Sequence, residues 1–488
     1  MTAKHLMRLN VALAAFAGLA LRFFYVLKLP VTDSGDAPFY IELAWNWLKS
    51  GVYGAVVDGR LMPLDTRVPG YPAFLAAIFS VAGQSSRAVM FVQAFLDLAT
   101  CFVIALIAAR LAPEISRRRV AIAGLWLAAL CPFTANYTAV LLTETLVSFL
   151  TALAILLFVE AEGGAAAGAS SLEPHALSPW FLGGLVVGFG ALVRPETPLL
   201  LAAAGLVCVG RWWRLIDWTK FVRAGVLMAV GLLLPLLPWA ARNWRSLHEV
   251  QFLTPRYLQM PDDFSPRGFD AWTATWLWKF GDVYRTLWQL NSGEISIGVF
   301  PPRAFDTPDE RARVAAMLDD YNYTLTETHE QDAAFAELAR ERTARHPLRT
   351  WVKIPLLRSL VIWFTPRVEL LPNSSPLHPV ASEWEDDRGD FVETLALGAV
   401  NIIYVALALA GLWIARRRPG VAFLVVFMLL RTLYIAGFIE TPEPRYVLEC
   451  FPAVIALAAQ VFGESVGRSA PRRGKVGGAG QLSSTGSG

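Results

Sequence analysis

Residues 139–160 read AVLLTETLVSFLTALAILLFVE, and this stretch decides the class of fold. It contains two acids, Glu144 and Glu160, and its other residues are mostly apolar. A hydrocarbon core about 30 Å thick requires roughly 20 apolar residues for each helix that crosses it. The stretch therefore predicts a helix that spans a membrane, with one carboxylate inside an apolar run.

Comparable apolar runs recur along the chain. Hydrophobic residues make up 55% of the 488 residues and charged residues only 17%, which is too apolar for a water-facing fold of this length. The net charge of +3 is small and the basic residues form short clusters, so nucleic acid is not an expected partner. We predict an all-α polytopic membrane protein with about 10 to 12 transmembrane helices, surrounded by membrane lipids. The other runs lie at 9–29, 88–109, 120–135, 180–194, 196–210, 223–240, 392–415, 420–438 and 446–463.

Basic clusters beside these runs predict the orientation of the helices. Short cytoplasmic loops carry an excess of Lys and Arg. The four clusters fall on one side of the membrane if both chain ends are cytoplasmic, so we expect the opposite loops to be extracytoplasmic. The clusters are Arg117 to Arg119; Arg211, Arg214 and Lys220; Arg416 to Arg418; and Arg472, Arg473 and Lys475.

This orientation predicts four parts. Charges at helical spacing predict a helix at 309–345. The apolar run at 348–364 is interrupted by Lys353 and Arg358, which favours an interfacial or re-entrant helix over a span. The parts are an N-terminal transmembrane module at 1–240 with a catalytic first outer loop at 30–87, a small extracytoplasmic domain at 241–390, C-terminal transmembrane helices at 391–465, and a disordered cytoplasmic tail at 466–488.

Two carboxylates, Asp33 and Asp36, follow the first apolar run closely. A carboxylate beside the membrane surface is suited to removing the proton from an acceptor hydroxyl during group transfer. An alternative is a helix N-cap, because Asp36 precedes an amphipathic run that starts near Pro38. The two roles are compatible, and Asp33 and Asp36 are both candidates for the catalytic carboxylate that removes the proton.

Glu144 and Arg194 are charged residues near the ends of apolar segments. An unpaired carboxylate in hydrocarbon costs several kcal/mol, so Glu144 is expected to face a cavity, a cation or a functional group, or else to form an ion pair that packs helices together. Arg194 lies in Leu192-Val193-Arg194-Pro195-Glu196. It is a candidate phosphate ligand, and a simple loop pair with Glu196 is the alternative.

Other arginines also stand at predicted outer ends of segments. Guanidinium groups are suited to phosphate oxygens, including those of a polyprenyl phosphate, although ordinary lipid headgroups have the same chemistry. The convergence of several arginines with Asp36 and Glu144 on one face favours a site. The candidates are Arg67, Arg242, Arg245 and Arg445, the last followed by Tyr446.

The sequence contains no residue pattern typical of a metal site. The six His residues are dispersed, and the four Cys residues lack metal-ligand spacing, so we expect buried, inert thiols. Asp36 and Glu144 would hold a divalent metal ion only if the fold brings them together.

Six short motifs, in this order along the chain, resemble the membrane-embedded GT-C glycosyltransferases. The nearest group is the protein O-mannosyltransferase and aminoarabinose-transferase-like group, family 39 in the broad sense. The resemblance covers most of residues 10–460. The motifs are Asp36-Ala37-Pro38-Phe39-Tyr40, Arg67-Val68-Pro69-Gly70-Tyr71, Thr143-Glu144, Arg194-Pro195, Trp239-Ala240-Ala241-Arg242-Asn243 and Arg445-Tyr446.

The resemblance implies an inverting glycosyltransferase that moves a sugar from a polyprenyl-phosphate donor to a lipid, glycan or protein acceptor. It implies that Asp36 is the catalytic carboxylate, that Glu144 positions the acceptor or a metal, and that Arg67 and Arg445 contact the donor phosphate. Ala37 stands where the family often has Glu, and Asp33 is an extra acid, so the choice between Asp33 and Asp36 stays open.

The expected location is a bacterial plasma (inner) membrane, with the active site facing the periplasm. A transporter or flippase of lipid-linked sugars is the alternative function, because it would also have many spans and an intramembrane acid. Transporters tend to have internal repeats and midplane polar residues, and this sequence shows no clear repeat. The enzyme is therefore the preferred hypothesis.

Overall fold

The computed structural model describes residues 3–30, 35–166, 174–212, 218–255, 264–369 and 388–463. Asp33 and the predicted tail at 466–488 lie outside these ranges. The regular secondary structure of the described residues is helical except for one antiparallel hairpin, β1 (Gly54–Val57) and β2 (Arg60–Pro63). The prediction of an all-α membrane fold is confirmed by this architecture.

The N-terminal half contains ten α-helices. A short 3₁₀ turn at Asn136–Ala139 follows the sixth. In chain order the helices are α1 (Ala3–Lys28), α2 (Ala37–Ser50), α3 (Gly70–Ala82), α4 (Ser86–Leu111), α5 (Arg117–Ala129), α6 (Pro132–Ala135), α7 (Glu144–Ala166), α8 (Pro174–Ala191), α9 (Leu199–Trp212) and α10 (Trp218–Leu247).

The rest of the described chain adds eight α-helices. Five of them lie in the segment between the two sets of long helices, and the last of the eight is extended at both ends by 3₁₀ turns at Pro444–Cys450 and Ala459–Gly463. They are α11 (Arg267–Ala274), α12 (Phe280–Arg285), α13 (Pro308–Thr324), α14 (His329–Arg345), α15 (Ile354–Phe364), α16 (Arg388–Ala415), α17 (Val421–Phe438) and α18 (Phe451–Ala458).

Seven helical segments of the described chain are long and apolar enough to cross a membrane. An eighth span is formed if α5 and the following 132–139 segment, bent by 51°, count as one. The apolar parts of α8 and α9 are shorter, at 179–191 and 199–210. All ten predicted apolar runs are therefore helical, and the two shortest of them are below the usual length of a span.

Small residues allow α8 and α10 to pack in direct backbone contact. A Cβ atom added at Gly184 would lie 2.3 Å from the Met228 carbonyl oxygen, and one at Gly231 would lie 2.4 Å from the Phe181 carbonyl oxygen. Helices in lipid gain little from apolar burial against each other, so close backbone approach through Gly supplies the packing energy. This pair supports the inner wall of the site described below.

An intramembrane ion pair joins α1 to α4. Arg22 donates from Nε to Asp97 Oδ2 at 2.8 Å and also donates to the carbonyl oxygens of Gly18 and Ala129 at 2.8 and 2.9 Å. Arg22 is fully buried and Asp97 nearly so. Because both charges are paired and hydrogen-bonded, we interpret them as structural. The sequence analysis did not single out this pair.

Helices α11 to α14 enclose a separate aromatic core between the transmembrane sets. Its centre is Trp272, with ring centroids 5.4 Å from Trp276 and 5.2 Å from Phe335. The prediction of a single helix at 309–345 is wrong, because α13 ends at Thr324 and α14 begins at His329. Leu325 takes a left-handed conformation with φ of 54°, and Thr328 forms a capping box with Gln331 that starts α14.

Candidate active site

The structure places Asp36 at the N-cap position of α2, directly before Ala37. Its side chain makes no capping hydrogen bond. Arg67 instead donates from Nη2 to Asp36 Oδ1 at 2.8 Å. The residue therefore occupies the N-cap position predicted for it, while its carboxylate is directed toward a cation outside the helix.

Arg67 is held in place by its own loop. The Tyr53 hydroxyl donates to the Arg67 carbonyl oxygen at 2.9 Å, and the guanidinium lies 5.8 Å from the centroid of the Phe39 ring. Three residues later, Gly70 donates its amide to the Leu192 carbonyl oxygen at 2.6 Å. A Cβ atom at Gly70 would lie 2.5 Å from that oxygen, so only Gly permits this contact between the start of α3 and the end of α8.

Arg445 approaches Asp36 from the other side. Its Nη2 lies 3.9 Å from Asp36 Oδ2, and its Nη1 lies 3.8 Å from Glu144 Oε1. Its Nε donates to Glu443, which also accepts a hydrogen bond of 2.7 Å from the Tyr446 hydroxyl. Asp36 thus lies between two guanidinium groups that come from opposite ends of the sequence.

Behind these residues lies a buried chain of alternating charges. Arg194 donates to Glu144 at 2.6 Å and to Glu449 at 3.1 Å, and Glu449 also pairs with Arg431 at 2.5 Å. The chain connects α7, the α8–α9 loop, α17 and the 3₁₀ turn before α18. The predicted loop pair with Glu196 is the weakest of these Arg194 contacts, because the two side chains are 3.9 Å apart, farther than Arg194 is from Glu144 or Glu449.

Glu144 is 2% exposed and its Oε2 has no hydrogen-bond partner in the described structure. Its Oε1 contacts Arg194 and approaches Arg445. A buried carboxylate in contact with two guanidinium groups fixes their positions relative to each other. Glu144 therefore joins the buried chain to the open site.

A polar pocket of about 300 Å³ lies at Asp36, Arg67 and Arg445, whereas Glu144 and Glu449 are not among the residues that line it. A second cavity of about 890 Å³ adjoins it and has a mainly apolar lining. Val193 lines both. The polar pocket includes Asp36, Arg67, Arg194, Glu196, Arg445 and Tyr446. The apolar cavity includes Trp47, Tyr53, Phe74, Leu146, Trp239 and Arg242.

Arg242 is not brought to the polar pocket. Its guanidinium lies over the rings of Tyr53 and Trp239, at 5.3 and 5.0 Å from their centroids, and donates to the carbonyl oxygens of Leu64 and Tyr53. It thus places one charge in the wall of the apolar cavity. Arg245, at the end of α10, is exposed.

The local electrostatics keep the ionisable groups around Asp36 in defined states. Burial, together with the charge of Asp36, raises the pKa of Tyr40 to about 12, so its phenol stays protonated at neutral pH. Burial alone would lower the pKa of Arg67, but Tyr40 and Asp36 raise it above the ordinary value. Tyr40 is therefore a neutral phenol beside the charged guanidinium of Arg67.

The described residues contain no group of three or more His, Cys, Asp or Glu side chains that would hold a metal ion. Arg445 lies between Asp36 and Glu144, close to both carboxylates. A cationic side chain thus occupies the place where a shared divalent ion would have to sit. All four Cys residues are buried, as predicted.

No protein-family model matches this chain, and no curated protein matches it. The chain is similar to the solved oligosaccharyltransferase AglB from Archaeoglobus fulgidus in complex with an inhibitory peptide and a dolichol-phosphate, with 13% identity, a TM-score of 0.48 and coverage of 94% of this chain and 50% of that one. The chain spans about half the length of the oligosaccharyltransferase chains it matches.

Two further solved structures are similar to this chain. ArnT from Cupriavidus metallidurans in the apo state has 14% identity and a TM-score of 0.42, with 95% of this chain and 78% of that chain covered. The arabinosyltransferase EmbB from Mycobacterium smegmatis has 17% identity and a TM-score of 0.35, with 95% and 41% covered.

Three residues of the site were not singled out from the sequence: Arg431, Glu443 and Glu449. Arg431 is the one charged residue in the apolar run 420–438, and Glu449 is the one charged residue in the run 446–463. A charge inside an apolar run marks a residue with a partner or a function. That rule, applied to each run in turn, would have found the Arg431–Glu449 pair.

Proposed function

We propose that this chain is an inverting glycosyltransferase that takes a sugar from a polyprenyl-phosphate donor and transfers it to a lipid, glycan or protein acceptor. The observation that carries the proposal is the position of the Asp36 carboxylate, between the guanidinium groups of Arg67 and Arg445. The active site is proposed to face the periplasm across a bacterial plasma membrane, with cations and carboxylate together on that side.

The two adjoining cavities fit an amphipathic donor. A polyprenyl phosphate has a long apolar tail and a dianionic or monoanionic head, and the structure offers an apolar cavity of about 890 Å³ beside a polar pocket of about 300 Å³. The tail would lie against Trp47, Phe74 and Trp239. The phosphate would then reach the polar pocket past Val193, toward Arg67 and Arg445.

Arg67 and Arg445 are the proposed phosphate ligands. Their side chains remain partly exposed, at 20% and 18%. Arg194 has its donors directed to Thr143, Glu144 and Glu449, so its proposed contribution to phosphate binding is a positive charge in the pocket wall. The Tyr446 ring centroid lies 5.4 Å from the guanidinium groups of both Arg194 and Arg445.

In the proposed reaction, Asp36 takes the proton from the acceptor hydroxyl or amine. The acceptor atom bonds to the anomeric carbon from the face opposite the phosphate, and the bond between that carbon and the phosphate oxygen breaks. The leaving phosphate keeps the electron pair, and the guanidinium groups stabilise the charge that develops on it. Displacement from the opposite face inverts the anomeric configuration.

Transfer of radiolabelled sugar from membrane-extracted polyprenyl-phosphate sugars by the purified protein tests this proposal. Asp36→Asn keeps the shape of the side chain and removes the base, so transfer should fall at least about 10²-fold while the melting temperature stays close to wild type. Asp58→Asn, in the hairpin turn and outside both cavities, is the matched control.

Loss of activity in Asp33→Asn with full activity in Asp36→Asn would assign the base to Asp33. If the wild-type protein transfers no label from a broad donor set, the enzyme proposal fails. Movement of lipid-linked sugars across liposomes by the same preparation would then establish the flippase alternative.

A further inference from the structure

A second polar surface lies between α14 and α15, away from the proposed active site. Arg345, His346, Arg349 and Lys353 line a cavity of about 560 Å³ there, together with Pro347 and Leu348. The backbone from Arg349 to Lys353 forms a π-helical turn that continues directly into α15. Such turns widen a helix locally and often occur at functional sites.

Contacts between α15 and α17 give the depth of this cavity relative to the bilayer. Trp363 Nε1 donates to Thr432 Oγ1 at 2.9 Å, and Arg358 Nη1 donates to the Ile439 carbonyl oxygen at 3.0 Å. The two helices are therefore antiparallel, and Arg358 is level with the end of α17, a candidate span that closes at Phe438. Lys353 precedes Arg358 by five residues, which places it about 7 Å beyond the end of that span.

This depth corresponds to the headgroup layer. The outer face of α15 exposes Leu356 and Leu360, and the adjoining face of α17 exposes Leu429 and Leu433. Because the two faces form one apolar surface beside a candidate span, acyl chains cover both. Closer to the cavity, the exposed side chains include Trp351, which is 73% exposed. Trp is enriched at membrane interfaces, in agreement with this depth.

The basic side chains of this cavity differ in how closely carboxylates pair with them. Arg349 is bidentate to Asp306, at 3.0 Å for its second contact. Arg345 is less closely paired, at 3.4 to 3.8 Å from the carboxylates of Glu310, Asp306 and Glu341. Lys353 and His346 have no salt bridge among the described residues, and both are exposed. The cavity therefore carries cationic groups at the depth where lipid phosphates lie.

We propose that this cavity binds the phosphate headgroup of an anionic phospholipid, with Lys353 and Arg345 as its main ligands and the acyl chains along the exposed face of α15. The proposal does not depend on the proposed glycosyltransferase activity. An ammonium and a guanidinium group suit a phosphodiester, and the apolar face beside them suits its chains. A bound lipid here fixes the depth of α15 in the bilayer.

Native mass spectrometry of the purified full chain tests the site. The protein is titrated with phosphatidylglycerol and, separately, with phosphatidylcholine. Wild type should retain phosphatidylglycerol more strongly, and Arg345→Gln with Lys353→Gln should lower that retention on the order of tenfold, because two cationic groups that face the lipid phosphate are lost. Arg340→Gln, which removes an exposed basic residue of α14 outside the cavity lining, is the matched control.

Equal retention of the two lipids, or unchanged phosphatidylglycerol retention in the double variant, would overturn the proposal. So would displacement of the bound lipid by an acidic peptide at equal charge concentration, which would assign the cavity to a protein partner. The circular dichroism spectrum of the double variant provides the check on folding, and Arg345→Lys should restore retention if charge at this position is what matters.

Discussion

At the scale of single residues, the site depends on how Asp36 is surrounded. Arg67 and Arg445 reach it from the first loop and from the turn before α18, and each is itself held by further contacts. A carboxylate that faces two cations is held in one orientation, which is what proton transfer to it from an acceptor hydroxyl or amine at a fixed position requires. The arginines therefore both orient the proposed base and face the proposed leaving group.

Replacing Arg445 by Gln is expected to lower the turnover rate of sugar transfer by about 10²-fold, because one donor to the charge that develops in the transition state is lost. Arg445→Lys should recover only part of the rate, since an ammonium keeps the charge but not the planar fork. Steady-state kinetics with a purified polyprenyl-phosphate sugar provide the measurement. Arg60→Gln, at an exposed position of β2, is the control, and an equal loss in that variant would contradict a role specific to Arg445.

At the scale of elements, the loop between α17 and α18 carries Arg445 and is fixed by three buried guanidinium groups. Arg358 donates to the Ile439 carbonyl oxygen at 3.0 Å, Arg367 to the Pro444 carbonyl oxygen at 2.8 Å, and Arg431 to the Tyr446 carbonyl oxygen at 2.8 Å. A loop at the edge of a bundle is usually mobile. These contacts hold this one in a single conformation.

Arg367→Gln should release the loop at its centre. The expected result is faster hydrogen exchange over 439–446 and a loss of sugar transfer, with little change in the rest of the bundle, because Arg367 is fully buried and contacts a carbonyl oxygen of that loop. Hydrogen exchange followed by mass spectrometry measures this. Arg340→Gln, exposed on α14, is the control. Exchange that rises equally throughout the protein would indicate general unfolding instead.

At the scale of the whole molecule, the segment that contains α11 to α14 holds buried acids with few partners. Burial, with Asp332 and Asp270 nearby, raises the pKa of Glu327 to about 8. Burial, with Glu440 and Asp332 nearby, raises the pKa of Asp270 to about 7. Both Glu327 carboxylate oxygens are buried without a hydrogen-bond partner in the described structure, so the protonated form is the stable one there.

The stability of this segment should therefore fall as the pH rises. Between the ordinary pKa of a carboxyl group and about pH 8, the folded state binds more protons than the unfolded state, so the free energy of unfolding decreases with pH across that window. Glu327→Gln should remove the part of this dependence that belongs to Glu327 and leave the part that belongs to Asp270, as seen in melting temperatures measured from pH 5 to pH 9. Glu330→Gln, exposed in the first turn of α14, should retain it; a wild-type melting temperature that rises over this range would contradict the prediction.

Much of the fold was predictable from the sequence, because lipid imposes a simple rule on it. A backbone in hydrocarbon must satisfy its own hydrogen bonds, so each apolar run of sufficient length becomes a helix. All ten predicted runs are helical in the structure. The break between α13 and α14 was missed because that segment is polar, where local capping at Thr328 outweighs a continuous pattern of charges.

The membrane class, the positions of the helices and the charged residues near their ends all follow from the order of the amino acids. Which of these charges meet depends on the packing of the helices. It directs Arg67 and Arg445 to Asp36, occupies Glu144 with Arg194, and moves Arg242 to the wall of the apolar cavity. The apolar character of a segment is local, because it depends only on the residues of that segment. The contacts of Asp36 with Arg67 and Arg445 join residues 31 and 409 positions apart, so they depend on how the helices pack. That packing is set by many contacts together.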